Sequence, residues 1–559
     1  MPEKYTLGVD FGTQSGRALL VRLRDGEEEA VSVLEYEHGV MTERLPSGTK
    51  LPPNFALQHP QDYLRVLEHT ISDVVQKAKI QPEQVVGLGI AVTSSTILPV
   101  LEDGTPLCFL PEYATDPHSW IKLWKHHGAQ QEAVELDGFL QASAPELSTQ
   151  FGASSAERFL PKVVETKRQS PDVYEAAFTF LEVADWLVWS LTGKLQRSAP
   201  IAGYKSMWRK ETGYLNPELL EAIDPNYAEI IRDKLSGEVI PLGRAGLLSP
   251  KMAKNLGLDV NTVVTTGYID AHSSVLGAGV SEPGRLVMVM GTSTCHLLLD
   301  QRMELVEGMS GAIEDGIVEG LYAYESGQSS VGDQFQWYVE NCLPKSYVEE
   351  SAVRNLSHFE YLEQLARRVP MGGSGLLALD WWNGNRSVLN DATLSGVLVG
   401  LTTLTKPEEV YLALLESTAF GARQIMESFQ DKGLAVNSIC VCGGLPRKNQ
   451  LLMQVYANVT NRTIEVASSQ FTSALGMAIV AAAAVGSKRG GYDSLQEATR
   501  RMTNGPCQSY HPDPEIAQTY DVLYAEYKKL HDYFGRGATK VMQCLRTIRA
   551  KRGDSNLTS

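Results

Sequence analysis

The feature that most limits how this chain can fold is a strand, a glycine-and-hydroxyl turn and a second strand, and it occurs twice. The first copy is Leu7-Gly8-Val9-Asp10-Phe11-Gly12-Thr13-Gln14-Ser15-Gly16-Arg17, returning through Ala18-Leu19-Leu20-Val21. Half a chain length later, Gly291-Thr292-Ser293-Thr294 lies between the apolar runs 285–290 and 295–299. A repeat this long is no solenoid unit. It predicts two related domains, each with a hairpin whose glycines and hydroxyls offer N–H and O–H donors to an anion. Asp10 stands among β-formers, where burying an unpaired carboxylate is costly. Two readings stand side by side: an acid for a metal beside amides for phosphate, or a plain hairpin whose Asp caps its strand. The second copy has Met290 beside the turn, so only the first would serve a metal.

Composition narrows the partners. The chain has 559 residues, room for more than one domain. Its net charge of −16 disfavours nucleic acid or an anionic membrane, which need a basic field, but leaves room for a small polyanion in a locally positive pocket. Seven cysteines at scattered spacings, with no CxxC pair, suggest neither a zinc ribbon nor a disulfide framework. Cys440 and Cys442 read as small buried hydrophobes on a strand. No signal peptide is visible, and the longest apolar stretch, 478–485, is far short of the ~20 residues that span a bilayer. The expected location is the cytoplasm.

Along the chain, residues 29–37 read as a third strand. Leu64, Leu67, Ile71 and Val74 recur at helical spacing from Gln61 and stop before Pro82. Residues 85–92 read as a buried strand ending in Thr93-Ser94-Ser95-Thr96. Its Gly87-x-Gly89 lacks a third glycine and is set aside as a dinucleotide signal. Residues 110–250 are mixed and mostly helical, with polar-aromatic islands at 124–127, 185–189 and 204–208. A strand over 263–269 leads into Asp270, and another, 320–325, enters Gly327-Gln328-Ser329-Ser330. A loop segment covers 371–375 and 381–386. A long helix runs over 407–430, and the strand 438–442 meets Gly443-Gly444 before a helix near Asn449. Strand, double glycine and helix start form a place where a flat ring or phosphate can lie on bare backbone. The helix 472–485 is rich in Ala and Gly and permits close packing. In the tail, Ile516, Tyr520, Leu523, Tyr527, Leu530 and Phe534 predict an amphipathic helix laid on its own domain or on a partner subunit.

In this order the motifs resemble the FGGY carbohydrate kinases, in the superfamily of actin, hexokinase and the chaperone ATPases. The carriers are residues 10–17, Gly267-Tyr268-Ile269-Asp270, Met290-Gly291-Thr292-Ser293, and Cys442-Gly443-Gly444 with Asn449. Residues 396–401 with 413–416 nearly match a further family signature, with Leu414 departing from the small or β-branched residue usual there. The resemblance covers roughly residues 5–490. It implies an α/β fold of two duplicated ribonuclease H-like domains with a cleft between them. Residues 1–275 would carry the sugar and the phosphate/Mg2+ site. Residues 276–559 would carry the adenosine site, with a helical extension from about 512.

Residues 93–96, 110–113, 123–127, 202–206 and 324–328 are similar to family members that phosphorylate L-ribulose. The activity implied is ATP-dependent phosphorylation of L-ribulose to L-ribulose 5-phosphate, in L-arabinose catabolism. The alternatives are a D-ribulose or xylulose kinase of the same family, or a non-catalytic ATP-gated sugar sensor. Many members have Trp-x-Asp-x-Arg where this chain has Trp124-Lys125-His126-His127. That departure removes an acid and an arginine and shifts sugar recognition toward Lys205 and Glu325.

By the resemblance, Asp270 is the base and Asp10 holds Mg2+ through water, as magnesium takes few carboxylates. Gly12, Thr13, Ser15, Arg17, Gly291 and Thr292 hold the phosphates, and Gly443, Gly444 and Asn449 the adenosine. For Arg17 a structural ion pair is the other reading. Thr96, Trp124, Lys205, Asp270 and Glu325 contact the ketopentose, and His272 is read as a packing or supporting residue. No Walker A motif is present, so a P-loop mechanism is excluded. The C-terminal helix leaves a homodimer open.

Overall fold

The computed structural model describes residues 3–152 and 155–555. Two large mixed sheets dominate it. The first is built from β1 (Tyr5–Phe11), β2 (Ser15–Arg22), β3 (Glu28–Glu35), β4 (Val85–Val92), β5 (Arg244–Leu247), β6 (Val263–Thr265) and β7 (Tyr268–Ile269). Their order is β5-β6-β4-β1-β2-β3, with β7 also on β4. The second contains β8 (Arg285–Met290), β9 (Thr294–Asp300), β10 (Gly311–Glu314), β11 (Tyr322–Gln328), β12 (Ser438–Cys442), β13 (Ile464–Val466) and β14 (Gln508–Tyr510). Its order is β10-β11-β9-β8-β12-β13-β14.

The sheets repeat one pairing scheme. β1 pairs antiparallel with β2, β2 with β3, and β1 parallel with β4. Likewise β8 pairs antiparallel with β9, β9 with β11, and β8 parallel with β12. Each sheet continues with one more parallel strand and ends in an antiparallel edge. The duplication expected from the two turns is therefore a duplication of topology. The strand expected over 263–269 is interrupted at Thr266-Gly267. Gly267 presses on Ala184, where an added Cβ would come within 2.8 Å of the Ala184 Cβ.

All seven residues of β1 are buried because helices cover both faces of its sheet. Helix Pro60–Ala78 supplies Tyr63, Val66, Leu67, Ile71 and Val74 to the core shared with Leu7, Val9 and Phe11. Full burial of such a side chain contributes about 1.5–3 kcal/mol relative to exposure. Helix Thr472–Val485, from the second half of the chain, crosses back onto the first sheet. Ala474, Leu475, Ala478, Ile479 and Ala482 join Leu19, Val21, Val86 and Val263 in one cluster. This crossing explains the strand glycines: a Cβ at Gly8 would lie 1.7 Å from Ala474 O, and one at Gly89 2.5 Å from Met477 O. Gly87 and Gly89 are helix seats, consistent with setting them aside as a dinucleotide motif.

Helix Asp270–Gly277 follows the first sheet and packs on helix Thr472–Val485. Gly277 and Gly476 make the contact close, each Cβ-bearing alternative coming 1.9 Å from a carbonyl of the other helix. Ser273 Oγ and Ser473 Oγ lie 2.9 Å apart at this crossing. The tail helix Pro514–Gly535 lies on its own half of the molecule. Tyr520, Tyr524 and Tyr527 gather around Phe420 of the long helix Pro407–Asp431. Cys440 and Cys442 are buried on β12, and no described cysteine is in a disulfide.

Candidate active site

The first hairpin pairs Asp10 opposite Arg17. Arg17 Nη1 donates to Asp10 Oδ2 at 2.5 Å, and Nη2 to Ser15 Oγ at 2.8 Å. The other carboxylate oxygen, Oδ1, accepts from Ser473 Oγ at 2.8 Å. Asp10 is thus buried with partners at both oxygens, one of them sent from the far half of the chain. The turn is closed by Gly12 N on Ser15 O at 3.0 Å, and Tyr36 OH donates to Gly12 O at 2.9 Å. Thr13 is held from the side: Gln58 Nε2 donates to its carbonyl at 2.8 Å, and Trp124 Nε1 to its hydroxyl at 3.1 Å.

The second hairpin repeats the closure, with Gly291 N on Ser293 O at 2.9 Å. The carbonyls of Gly291 and Thr292 accept from Val331, Gly332 and Asp333 N–H groups at the start of helix Gly332–Cys342. Gly443 has φ +96°, and a Cβ there would meet Met290 O at 2.3 Å, so only glycine fits the passage from β12 past β8. Gly444 faces open space. A four-residue helix, Leu445–Lys448, intervenes before helix Gln450–Thr460. Asn449 caps that helix, accepting from Leu452 N at 2.9 Å, while its Nδ2 donates to Tyr411 OH at 3.0 Å. Its side chain is therefore held by the protein.

Asp270 begins helix Asp270–Gly277 just after β7 and is half-buried. Burial, with the charge of Asp10 and less strongly of Glu325, pushes its carboxyl up to about 7, against the pull of Lys205. Two residues on, His272 is fully buried against the Tyr204 ring, and its Nε2 lies 2.9 Å from Glu325 Oε2. Burial lowers the imidazole, so the neutral ring donates to the carboxylate. Glu325 on β11 also meets Lys205 Nζ, 3.7 Å away. Burial works against ionising Glu325, but Lys205, His272 and Arg386 outweigh it and hold the carboxyl well below the usual range. Asp270, Lys205 and Glu325 thus share one electrostatic site, and Trp124 joins it through the first hairpin.

Thr96 is fully buried after β4, its hydroxyl 2.9 Å from that of Thr93 and its amide donating to Glu182 Oε2 at 3.1 Å. Of the residues that replace the family's Trp-x-Asp-x-Arg element, His126 turns inward onto Glu165, 2.9 Å away, and away from the cleft. His127 faces Glu157 at the surface. Sequence reasoning missed Ser473, Glu182 and Lys162. The last is a buried lysine under the turns of Thr96 and Trp124, and no local motif marks any of the three. It missed Arg386 as well, whose Nη2 reaches Glu157 Oε2 at 3.1 Å and joins the two halves.

The first glycine-rich turn lies beside a carboxyl near neutrality and a Lys–Glu pair that can donate to and accept from hydroxyls. Asp10 offers hard carboxylate oxygens, the donor chemistry magnesium takes. Among the described residues, no helix is long and apolar enough to cross a membrane.

Two models of one family match this chain, the FGGY carbohydrate kinase N-terminal domain over residues 5–277 and the C-terminal domain over residues 286–485. The chain is 48% identical over 550 residues to a protein named ribulokinase from Anoxybacillus flavithermus, covering 98% of this chain and 97% of that one. A protein of the same name from Staphylococcus aureus MW2 is 40% identical over 549 residues, covering 98% and 99%. Among solved structures, xylulose kinase from Rhodospirillum rubrum superposes with a TM-score of 0.79 at 21% identity, covering 94% and 98% of the two chains. Glycerol kinase from Plasmodium falciparum, with ADP, gives 0.74 at 16% identity over 94% and 98%. At such identities these structures speak to the fold alone, which is that of two-domain sugar kinases. The chain belongs to the FGGY family of carbohydrate kinases.

Proposed function

We propose that this protein transfers the γ-phosphoryl group of ATP to L-ribulose, giving L-ribulose 5-phosphate in L-arabinose catabolism. The observation that carries the reading is the near full-length likeness, at 40–48% identity, to proteins named ribulokinase. Lys205 and Glu325, adjacent to Asp270, support it with a donor–acceptor pair for vicinal hydroxyls.

In phosphoryl transfer the protein positions reactants and stabilises charge. Asp270 accepts the proton of the attacking sugar hydroxyl as its oxygen bonds to the γ-phosphorus. The bond from that phosphorus to the β,γ-bridging oxygen breaks, and its electron pair leaves with ADP. A base near pH 7 suits this task. Asp10 would hold Mg2+ through water, and the ion when bound would neutralise phosphate charge. Arg17 keeps Asp10 oriented through its ion pair and contributes positive charge beside Gly12, Thr13 and Ser15. Gly291 and Thr292 face the same phosphates, Gly443 and Gly444 leave backbone bare for the adenosine, and Asn449 shapes that edge as a cap. Thr96 and Trp124 complete the sugar side.

The reading divides the chain near residue 275, into residues 1–275 and 276–559 with the helical extension from about 512. Closure of the cleft between them would exclude water as a competing acceptor. It also takes the enzyme as cytoplasmic and allows a homodimer. A panel of ketopentoses and polyols with ATP and Mg2+, read by ADP release and product analysis, tests the assignment. Rapid turnover of xylulose or glycerol with L-ribulose inert would sink the substrate while leaving the family.

A further inference from the structure

Lys162 lies in helix Phe159–Gln169 and is fully buried. Its Nζ donates to Ser95 O at 2.6 Å and to Leu123 O at 2.8 Å. Those carbonyls belong to separate segments, each next to a group assigned to the sugar: Thr96 after Ser95, Trp124 after Leu123. Each segment has local bonds of its own, Thr93 and Thr96 hydroxyls 2.9 Å apart in one and His126 N donating to Leu123 O at 2.9 Å in the other, but Lys162 is a donor they share. Ser95 sits at φ +52°, the left-handed region where a residue with a Cβ is strained. The turn starts beside Asp10, with Thr93 N donating to Phe11 O at 3.2 Å. On its far side Glu182 Oε2 accepts from Thr96 N, and Val183 N donates to Thr96 O at 2.8 Å. Trp124 in turn reaches the first hairpin at Thr13 Oγ1.

Burying an ammonium costs far more than burying an aliphatic chain of the same length, so a plain packing position would hold Met or Leu. Glu182, Glu157 and Glu165 offset the charge, and Lys122 adds to the cost. What the ammonium alone supplies is two directed donors from one point to two main-chain carbonyls.

We propose that Lys162 is a positioning residue for the sugar acceptor: it sets the spacing of Thr96 and Trp124 from beneath while touching no substrate. The inference rests on the reading of the cleft as a ribulose kinase site. With Lys162 replaced, both carbonyls lose their shared donor and the spacing between the two segments is no longer fixed from beneath, while the ties of Thr93 to Phe11 and of Trp124 to Thr13 remain.

The test is steady-state kinetics of full-length Lys162→Met, with KM for L-ribulose and for ATP measured separately and melting followed alongside. The expected result is a KM for L-ribulose raised ~10-fold or more, the scale of a lost charged hydrogen bond, with the KM for ATP within about twofold. If the methionine variant does not fold, Lys162→Gln, which keeps an amide donor for one carbonyl, carries the same test with a smaller rise. Unchanged KM values with only a lower melting temperature, or equal rises in both, overturn the proposal. A wild-type enzyme that leaves L-ribulose inert would instead sink the substrate reading.

Discussion

The two hairpins share a turn, a pairing scheme and a place in their sheets, yet their surroundings diverge at two points. Two residues before the turn glycine, β1 carries Asp10 and β8 carries Val289. Where the helix after the first sheet opens with Asp270, its counterpart opens with Thr472. The second copy thus keeps the glycine turn and lacks both carboxylates. It contributes a hydroxyl instead, because Ser473 reaches across to Asp10. On the proposed reading, a phosphate-cradling backbone is needed twice, whereas a metal-holding acid and a base are needed once.

The largest break in this asymmetry comes from Asp270→Asn, which gives the first copy a neutral helix start like the second. We expect kcat to fall at least ~10²-fold, the low end for a positioned acid–base group, with both substrates still bound. Near-normal turnover would remove Asp270 from the role of base. The pH dependence follows from its raised carboxyl. Activity should drop as pH falls through about 7. Since the folded form holds its proton more tightly than the unfolded chain, stability declines as pH rises from about 4 to about 7 and then levels. Asp270→Asn should therefore melt higher than wild type at pH 8, with the difference narrowing toward pH 5.

Asp10→Asn tests the other point of divergence. The Mg2+ concentration for half-maximal activity should rise ~10- to 100-fold, as for a weakened metal ligand set, while circular dichroism stays native. A variant that simply unfolds would return the hairpin to a structural role. Lys205→Met should raise the KM for L-ribulose ~10- to 100-fold, the scale of a lost charged hydrogen bond, with little effect on ATP. Glu325 keeps His272 in that variant, so the fold should hold. Gly277→Ala probes the crossing that brings Ser473 to Asp10, and overpacking there should cost about 1–3 kcal/mol in denaturant unfolding. The smallest effect is expected from Asn449→Ala: a lost cap of about 1 kcal/mol in unfolding, with only a modest rise in the KM for ATP. A large rise with unchanged stability would make the Asn449 side chain a direct nucleotide contact.

Much of this was legible beforehand. The double turn announced the duplication, and the period of Leu64, Leu67, Ile71 and Val74 announced the helix Pro60–Ala78. Alternating spacings announced the tail helix. Its buried residues show that it covers its own half, a choice the pattern left open. Asp270 was marked by the resemblance of Gly267-Tyr268-Ile269-Asp270 to a family motif at the end of a strand. Gly87-x-Gly89 was rightly set aside, but its purpose as a seat for helix Thr472–Val485 appeared only when the packing was seen.

Local periodicity and turn chemistry determined the elements, the duplication, the two glycine turns and the acid beside the first, because those depend on neighbours a few residues apart. The tertiary structure alone decided which distant groups complete the site. Ser473 on Asp10, His272 on Glu325 across the two halves, and Lys162 beneath Ser95 and Leu123 are contacts between residues far apart in sequence. No periodicity links such pairs. They are selected by close packing, where a missing Cβ lets two helices touch, and by the cost of leaving a buried polar group without a partner.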